Sequence, residues 1–319
     1  MKAITYKSYG SPEVLQLTEI DKPIPGENEV LVKINATTVN SADCRLRKAD
    51  PFLIRLIFGL FKPRKQVLGM GLSGVVEETG RNVTLFQKGD QIFGSTELLM
   101  GTYAEYISVP ENTPLSKIPQ GWSFEEAVAV PFGTHTALCF LKMADIKPGQ
   151  KVLIYGASGA VGTAAVQLAK YFGAEVTAVC STSNLEMLKS MGADQVLDYT
   201  CEDLSKIDKK WDVVFETVNK ISIGTIARLV KKGGVLILGS ALIKEMMQGL
   251  WMSMTKKFRI IMGTNKPTFA DMDTLRQLME SGAIKPVIDR VYSLDEMVEA
   301  HRYVDSGRKK GNVVIRIDV

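Results

Sequence analysis

Between Lys151 and Lys170 the chain reads KVLIYGASGAVGTAAVQLAK, where Gly156, Gly159 and Gly162 interrupt an apolar run at a spacing that suits a phosphate. A Cβ in such a turn would hold the phosphate away from the backbone, so the chemistry asks for glycine. Unpaired N–H groups at the start of the following helix then face the anion. Gly162 would let that helix lie close to the strand before it. The residues placed to cradle a pyrophosphate are Gly156, Ala157, Ser158, Gly159, Ala160, Val161 and Gly162. Ala157 stands at the first fingerprint position, giving AxGxxG, and the same letters also describe a tight turn with no ligand.

The elements that must position this turn are legible on both sides of it. Lys151–Tyr155 reads as a buried strand, and an Ala-rich helix follows from near Val161. EVTAVC (175–180), QVLDY (195–199), DVVFETV (212–218) and GGVLILGS (233–240) read as further strands, with a helix over 183–194 closed by Gly192. This alternation predicts an α/β fold with a doubly wound parallel sheet, which takes its ligand at the carboxyl ends of the strands. Residues 1 to about 123 instead carry short strands broken by Gly and Pro, including 29–40, 73–80, 90–95 and 101–109, which predict a small barrel or folded sheet. A capping box of Ser123 and Glu126 opens the next helix and marks a seam. The tail, with a helix over 271–284, another over 295–307 and a last strand NVVIRIDV, is too short to be a domain and is expected to rejoin the N-terminal part. The expected division is 1–123, 124–266 and 267–319.

With 319 residues, 45% of them apolar and 23% charged, the chain has room for two domains and a sizeable core. A net charge of +4 gives no warrant for nucleic acid. Four cysteines form no CxxC, which points away from a disulfide framework or a cysteine zinc site and towards a reducing cytoplasmic setting. MKAITYKSYG lacks an apolar signal core, and no run reads as a membrane span.

Taken together, GSPEVLQL (10–17), the AxxVNxxD element (36–43), GVVEETG, KGDQIFG, GTYAEY, GASGAVGTAAVQLAK, GADQVLDY and KKGNVVIRI resemble the medium-chain dehydrogenase/reductase superfamily in its zinc-free quinone oxidoreductase branch, over essentially the whole chain. The resemblance implies a GroES-like catalytic domain built from both chain ends and a Rossmann domain inserted between them. Zinc members hold their metal at positions that match Asn40, Met70 and Pro131, and that set cannot replace sulfur and imidazole ligands. No metal is therefore expected. An NAD site would place Asp or Glu at the end of the second strand, where Cys180, Ser181 and Thr182 stand, so NADPH is favoured.

By resemblance Ser181, Ser183, Asn184 and Tyr199 would line the 2′-phosphate, while Tyr199 also reads as an aromatic capping the strand end. Thr136, Gly239, Ser240, Gly263, Thr264 and Asn312 would meet the rest of the cofactor; Thr136 also reads as a hydroxyl bonded back inside its helix.

Hydride addition without a metal leaves charge on a carbonyl oxygen, which a hydrogen-bond donor in a dry site can meet. The Asn40 amide is one candidate, with Asp43 orienting it or relaying a proton and Thr136 near the nicotinamide. Asn40 reads equally as a strand-end turn residue and Asp43 as a helix cap. His135, at an apolar helix start, reads as a structural histidine before a proton donor.

The expected activity is reduction of a small lipophilic quinone or enone by NADPH, with a non-catalytic NADPH-binding protein and an enoyl-thioester reductase as alternatives. Pro51 to Gly69, PFLIRLIFGLFKPRKQVLG, reads as a packed helix and loop, then as a lid over a lipophilic substrate, and last as a membrane-contacting element. Similar superfamily members pair through the edge of the nucleotide sheet, so a homodimer is expected.

Overall fold

The computed structural model describes residues 1–240, 248, 258–263 and 266–318. The chain divides into two compact units, one comprising Met1–Phe132, Lys266–Glu280 and Pro286–Val319, the other Gly133–Asn265 and Ser281–Lys285.

In the second unit six strands form one parallel sheet in the order Gln195–Asp198, Glu175–Cys180, Lys151–Tyr155, Trp211–Glu216, Val230–Leu238, Arg259–Met262. The strand order reverses at Lys151–Tyr155, so the glycine turn sits at the topological switch point, where such sheets bind ligands. Apolar residues run almost unbroken through these strands because both faces are covered; Val152, Leu153, Ile154, Val214 and Phe215 are fully buried. Trp211 is also buried and donates its indole N–H to Thr177 Oγ1 at 3.0 Å across the sheet.

The first unit is built on the long strand Glu29–Val39, which pairs antiparallel with Gly71–Thr79, Tyr106–Pro110 and Asn312–Arg316. Gln91–Ser95 and Leu115–Lys117 extend the sheet on one side, and Ile288–Ser293 pairs parallel to Asn312–Arg316 on the other. The C-terminal segment thus completes a sheet begun by the N-terminal one.

Arg47, fully buried on the helix Ser41–Lys48, reinforces this closure. Its guanidinium donates to Asp305 on the helix Met297–Asp305 and to the carbonyl of Gly10 at 3.2 Å. Removing one partner of such a buried pair costs about 3–5 kcal/mol.

Three expectations need correction. The helix Phe124–Val128 belongs to the first unit rather than to the nucleotide domain, because Val128 and Ala129 pack with Ala36 and Val314 and Ser73 Oγ donates to the carbonyl of Phe124 at 2.7 Å. The stretch 101–109 is strand only from Tyr106, since Met100 and Gly101 take positive φ and break the extended run.

Among the described residues the helical run Phe124–Ala144, made of Phe124–Val128 and Pro131–Ala144, is long and apolar enough to cross a membrane by length and composition only. Its most apolar window is nevertheless 72% buried inside the molecule, as in a core helix. Finally, the packed helix and loop expected over 51–69 is packed on one face only. Only Ile54–Phe58 is α-helical, with Ile54 and Phe58 against the core while Phe52, Leu56, Ile57 and Phe61 are exposed.

Candidate active site

Gly156 ends the first parallel strand at φ +79°, and a Cβ there would lie 2.6 Å from both Thr217 Oγ1 and Val218 Cγ1. Two constraints therefore require glycine, the left-handed backbone and the chain that leaves the neighbouring strand. The N–H groups of Gly156 and Ala157 both donate to the carbonyl of Val179, which fixes the turn to the second strand.

The helix Ala160–Tyr171 then starts at Gly159, which offers no side-chain cap. A Cβ on Gly162 would sit 2.3 Å from the Gly156 carbonyl, so this glycine lets helix and turn touch. Gly133 allows the helix Pro131–Ala144 to approach the same start, since a Cβ would lie 2.5 Å from the Ala160 carbonyl. The sequence reading missed Gly133, which has no glycine neighbour to mark it.

An uncapped helix N-terminus behind a close-approach turn suits a pyrophosphate. In the same unit a cavity of about 550 Å³ is lined by Tyr155, Tyr199, Lys220 and Thr225, among others, at the carboxyl ends of strands.

At the end of the second strand Ser181 Oγ accepts from the Asn184 amide at 3.1 Å, leaving its own O–H available. Ser183 is exposed and Tyr199 is half-exposed, its ring 6.4 Å from that of Tyr155. Asn184 is buried, and its Oδ1 has no partner among the described residues. Asn184 therefore fixes Ser181 from beneath.

One acid nearby escaped the sequence reading. Asp198 stands in register with Cys180, and hydrogen bonds from Thr182, then Thr200, hold its carboxyl down to about 2. Thr200 N–H also donates to it at 2.9 Å, so this carboxylate is occupied by its own loop.

In the first unit Asn40 is the N-cap of the helix Ser41–Lys48. Its Oδ1 accepts from Ala42 N at 2.8 Å and Asp43 N at 3.1 Å, while its own N–H donates to Asp43 Oδ2 at 3.0 Å. Asn40, read as a strand-end turn residue, follows the strand Glu29–Val39 directly and is the N-cap, while Asp43, read as the cap, is the third helical residue that completes the capping box. Asn40 also keeps a spare donor, because its Nδ2 is buried with no hydrogen-bond partner among the described residues.

Asp43 is fully buried, and desolvation pushes its carboxyl up to about 7, against the pull of the Asn40 N–H and the nearby Tyr103 hydroxyl and Gly69 backbone. The Tyr103 hydroxyl lies 3.2 Å from His301 Nε2, and His301 Nδ1 lies 3.5 Å from Cys44 Sγ. Burial, then the Arg47 charge, drives His301 down to about 3, so it is neutral. Tyr103 and His301 were not among the predicted site residues. The available signal was a lone histidine on the apolar face of a strongly amphipathic helix.

The remaining predicted residues are distributed as follows. Thr136 lies one helical turn into Pro131–Ala144, with His135 beside it and His135 Nε2 3.4 Å from Cys139 Sγ. Gly239 leaves the fifth strand, where a Cβ would lie 2.8 Å from Phe215, and Ser240 donates to the Thr217 carbonyl at 2.7 Å. Gly263 takes φ +78° beyond the sixth strand, and Thr264 lies outside the described residues. The structure thus gathers the described cofactor candidates in the second unit, apart from Asn312. Asn312 belongs to the first unit, where its Nδ2 donates to the Val287 carbonyl at 3.2 Å. Among the described residues no group of three or more His, Cys, Asp or Glu is arranged to hold a metal ion.

Comparison with known proteins agrees with this geometry. Residues 26–120 match the alcohol dehydrogenase GroES-like domain, 131–244 the alanine dehydrogenase/PNT C-terminal domain and 191–315 the zinc-binding dehydrogenase family. The chain is 35% identical to a tomato (Solanum lycopersicum) 2-methylene-furan-3-one reductase, over 99% of this chain and 79% of that one. It is 31% identical to a pig (Sus scrofa) quinone oxidoreductase, over 97% and 95%. The solved quinone oxidoreductase of Coxiella burnetii superposes with a TM-score of 0.90 at 29% identity, covering 100% of this chain and 99% of that one.

The chain belongs to the medium-chain dehydrogenase/reductase superfamily, with a GroES-like part and a Rossmann-type parallel-sheet domain. It is an oxidoreductase, of a family that uses NAD(P)H and acts on small molecules.

Proposed function

We propose that this chain is a zinc-independent reductase that passes hydride from NADPH to a quinone or an α,β-unsaturated carbonyl compound. The observation that carries the reading is the buried Asn40 amide, whose Nδ2 has no partner among the described residues although its Oδ1 is doubly engaged. Buried donors are rarely left unpaired, and one in this state is poised for an oxygen supplied from outside. The names of the tomato and pig relatives support the substrate class.

The residues present fit a dinucleotide. Glycines at 156 and 162 give the close approach, and the uncapped N-terminus of Ala160–Tyr171 offers N–H groups to the pyrophosphate. Ser181, Ser183 and Tyr199 offer hydroxyl donors to a 2′-phosphate. Asp198, the acid in register with the second strand end, has its oxygens taken by Thr182 and Thr200.

The bound nicotinamide supplies the hydride. Asn40 donates to the carbonyl oxygen on which charge grows, a role in which one preorganised donor is worth about 10²–10³ in kcat. Asp43 accepts the Asn40 backbone N–H and so fixes the donor; its carboxyl, near neutrality, is also able to hold a proton.

Asn40→Ser tests the reading, because serine caps the helix as well as asparagine and has no amide. NADPH oxidation with a quinone or enone should fall about 10²-fold or more with little change in Tm. A variant as fast as wild type, or stoichiometric zinc in the active protein, overturns the proposal.

A further inference from the structure

The segment from Phe52 to Lys65 is apolar on two opposite sides. On the short helix Ile54–Phe58, Ile54 and Phe58 are one turn apart and pack on the core of the first unit. Leu53, Leu56 and Ile57 share the other face and are 50%, 61% and 67% exposed. Phe52, Leu60 and Phe61 extend that outer surface, with Phe61 87% exposed. A contiguous apolar patch of this kind marks an interaction surface.

The patch is built rather than frayed. Gly59 takes φ +125°, where a Cβ would strike the Lys62 carbonyl at 2.1 Å. The Gly59 carbonyl accepts from Tyr9 Oη at 2.8 Å, and Arg64 N–H closes the loop on the Phe58 carbonyl at 2.8 Å. The Arg55 guanidinium lies 5.0 Å from the Tyr9 ring and 5.3 Å from the Phe52 ring, linking the outer surface to the body.

Charge decides what covers this surface. Lys62, Arg64 and Lys65 are exposed at its rim, and no Asp or Glu occurs from residue 51 to residue 76. A second copy docked on the same patch would bring two cationic rims together. A lid over a small substrate needs one apolar face, and the inner face is already spent on the core. An anionic bilayer surface answers both features, because acyl chains accept the apolar side chains while headgroups pair with the rim.

We propose that residues 52–65 form an interfacial element that seats this protein peripherally on anionic lipid. The proposal is independent of which substrate the enzyme reduces.

The test is co-sedimentation of the full chain with phosphatidylcholine vesicles, plain or containing about one-third phosphatidylglycerol. Wild type should bind the anionic vesicles, and salt should release it. The triple variant Leu56→Ser, Ile57→Ser, Phe61→Ser should lose roughly tenfold or more in partitioning with its Tm unchanged. Lys62→Gln, Arg64→Gln, Lys65→Gln should erase the preference for anionic over plain vesicles. Wild type that stays in the supernatant with both vesicles overturns the proposal, as does a triple serine variant that binds equally well. So does sedimentation velocity showing that the serine substitutions only split a dimer, or kinetics in which they only raise KM for a lipophilic acceptor.

Discussion

Two helices in this molecule begin in opposite ways. Ser41–Lys48 opens with a complete capping box, in which Asn40 and Asp43 satisfy one another's backbone N–H groups. Ala160–Tyr171 opens at Gly159 with no side-chain acceptor. A capped start is worth about 1 kcal/mol of stability, and a family of helices selected for stability alone would carry caps at both. The open start keeps its N–H groups for an anion, whereas the closed one spends them and leaves a side-chain amide over. In the first case backbone would recognise charge; in the second a side chain would meet it.

The largest expected effect on this contrast is the loss of the spare donor in Asn40→Ser, about 10²–10³ in kcat with the cap retained. Asn40→Ala should show the same kinetic loss together with about 1 kcal/mol of destabilisation, so thermal unfolding of the two variants separates cap from chemistry.

The pH dependence of stability comes next. Asp43 has its folded pKa raised to about 7, so the folded state binds the extra proton and Asp43 costs stability as pH rises from about 4 to about 7. His301 has its folded pKa lowered to about 3, so the unfolded state binds the extra proton and its contribution is lost as pH falls from about 6.5 towards 3. The two slopes oppose each other between about pH 4 and 6.5. In denaturant titrations, Asp43→Asn should make stability rise more steeply with pH than in wild type. His301→Gln should make it fall more steeply, and parallel curves for all three proteins would refute the assignment.

Capping the open helix inverts the comparison. Gly159 has φ −79° and ψ 175°, a backbone any residue adopts, and a Cβ there meets only the Gly156 carbonyl at 3.7 Å. Gly159→Asp should therefore raise Tm slightly while weakening NADPH binding about 100-fold, measured by calorimetry. A destabilised variant that binds NADPH normally would remove the argument for an anion-ready helix start. The smallest effect is on coenzyme choice. Ser181→Asp should move the NADPH to NADH preference by about tenfold in kcat/KM, because a carboxylate there repels a phosphate and accepts from a ribose hydroxyl.

Some of this was readable along the chain and some was not, for identifiable reasons. Strands Lys151–Tyr155 and Glu175–Cys180 were legible to the residue, because a strand covered on both faces is a continuous apolar run. The hairpin of Lys2–Thr5 with Gln16–Glu19 was missed, since Gln16, Leu17 and Glu19 are exposed and carry no clean alternation. The 51–69 segment misled because its composition is that of a core element, while the five-residue helix has room to bury only one face. Asp198 was hidden because its partners Thr182 and Thr200 sit on two different strand ends.

By itself the sequence determined local matters: which stretches are strands, where glycine is obligatory, and that Asn40 and Asp43 are three residues apart at a helix start. Spacing along the chain sets these through backbone sterics and hydrogen bonding within a few residues. The tertiary structure decided which atoms are left without partners. Asn40 Nδ2 is a spare donor, and Asp43 a carboxyl near neutrality, only because the Tyr103 segment and the helix carrying His301, remote in sequence, shut water out around Asp43. Desolvation is a property of the assembled core, and no pattern of neighbours in one stretch contains it.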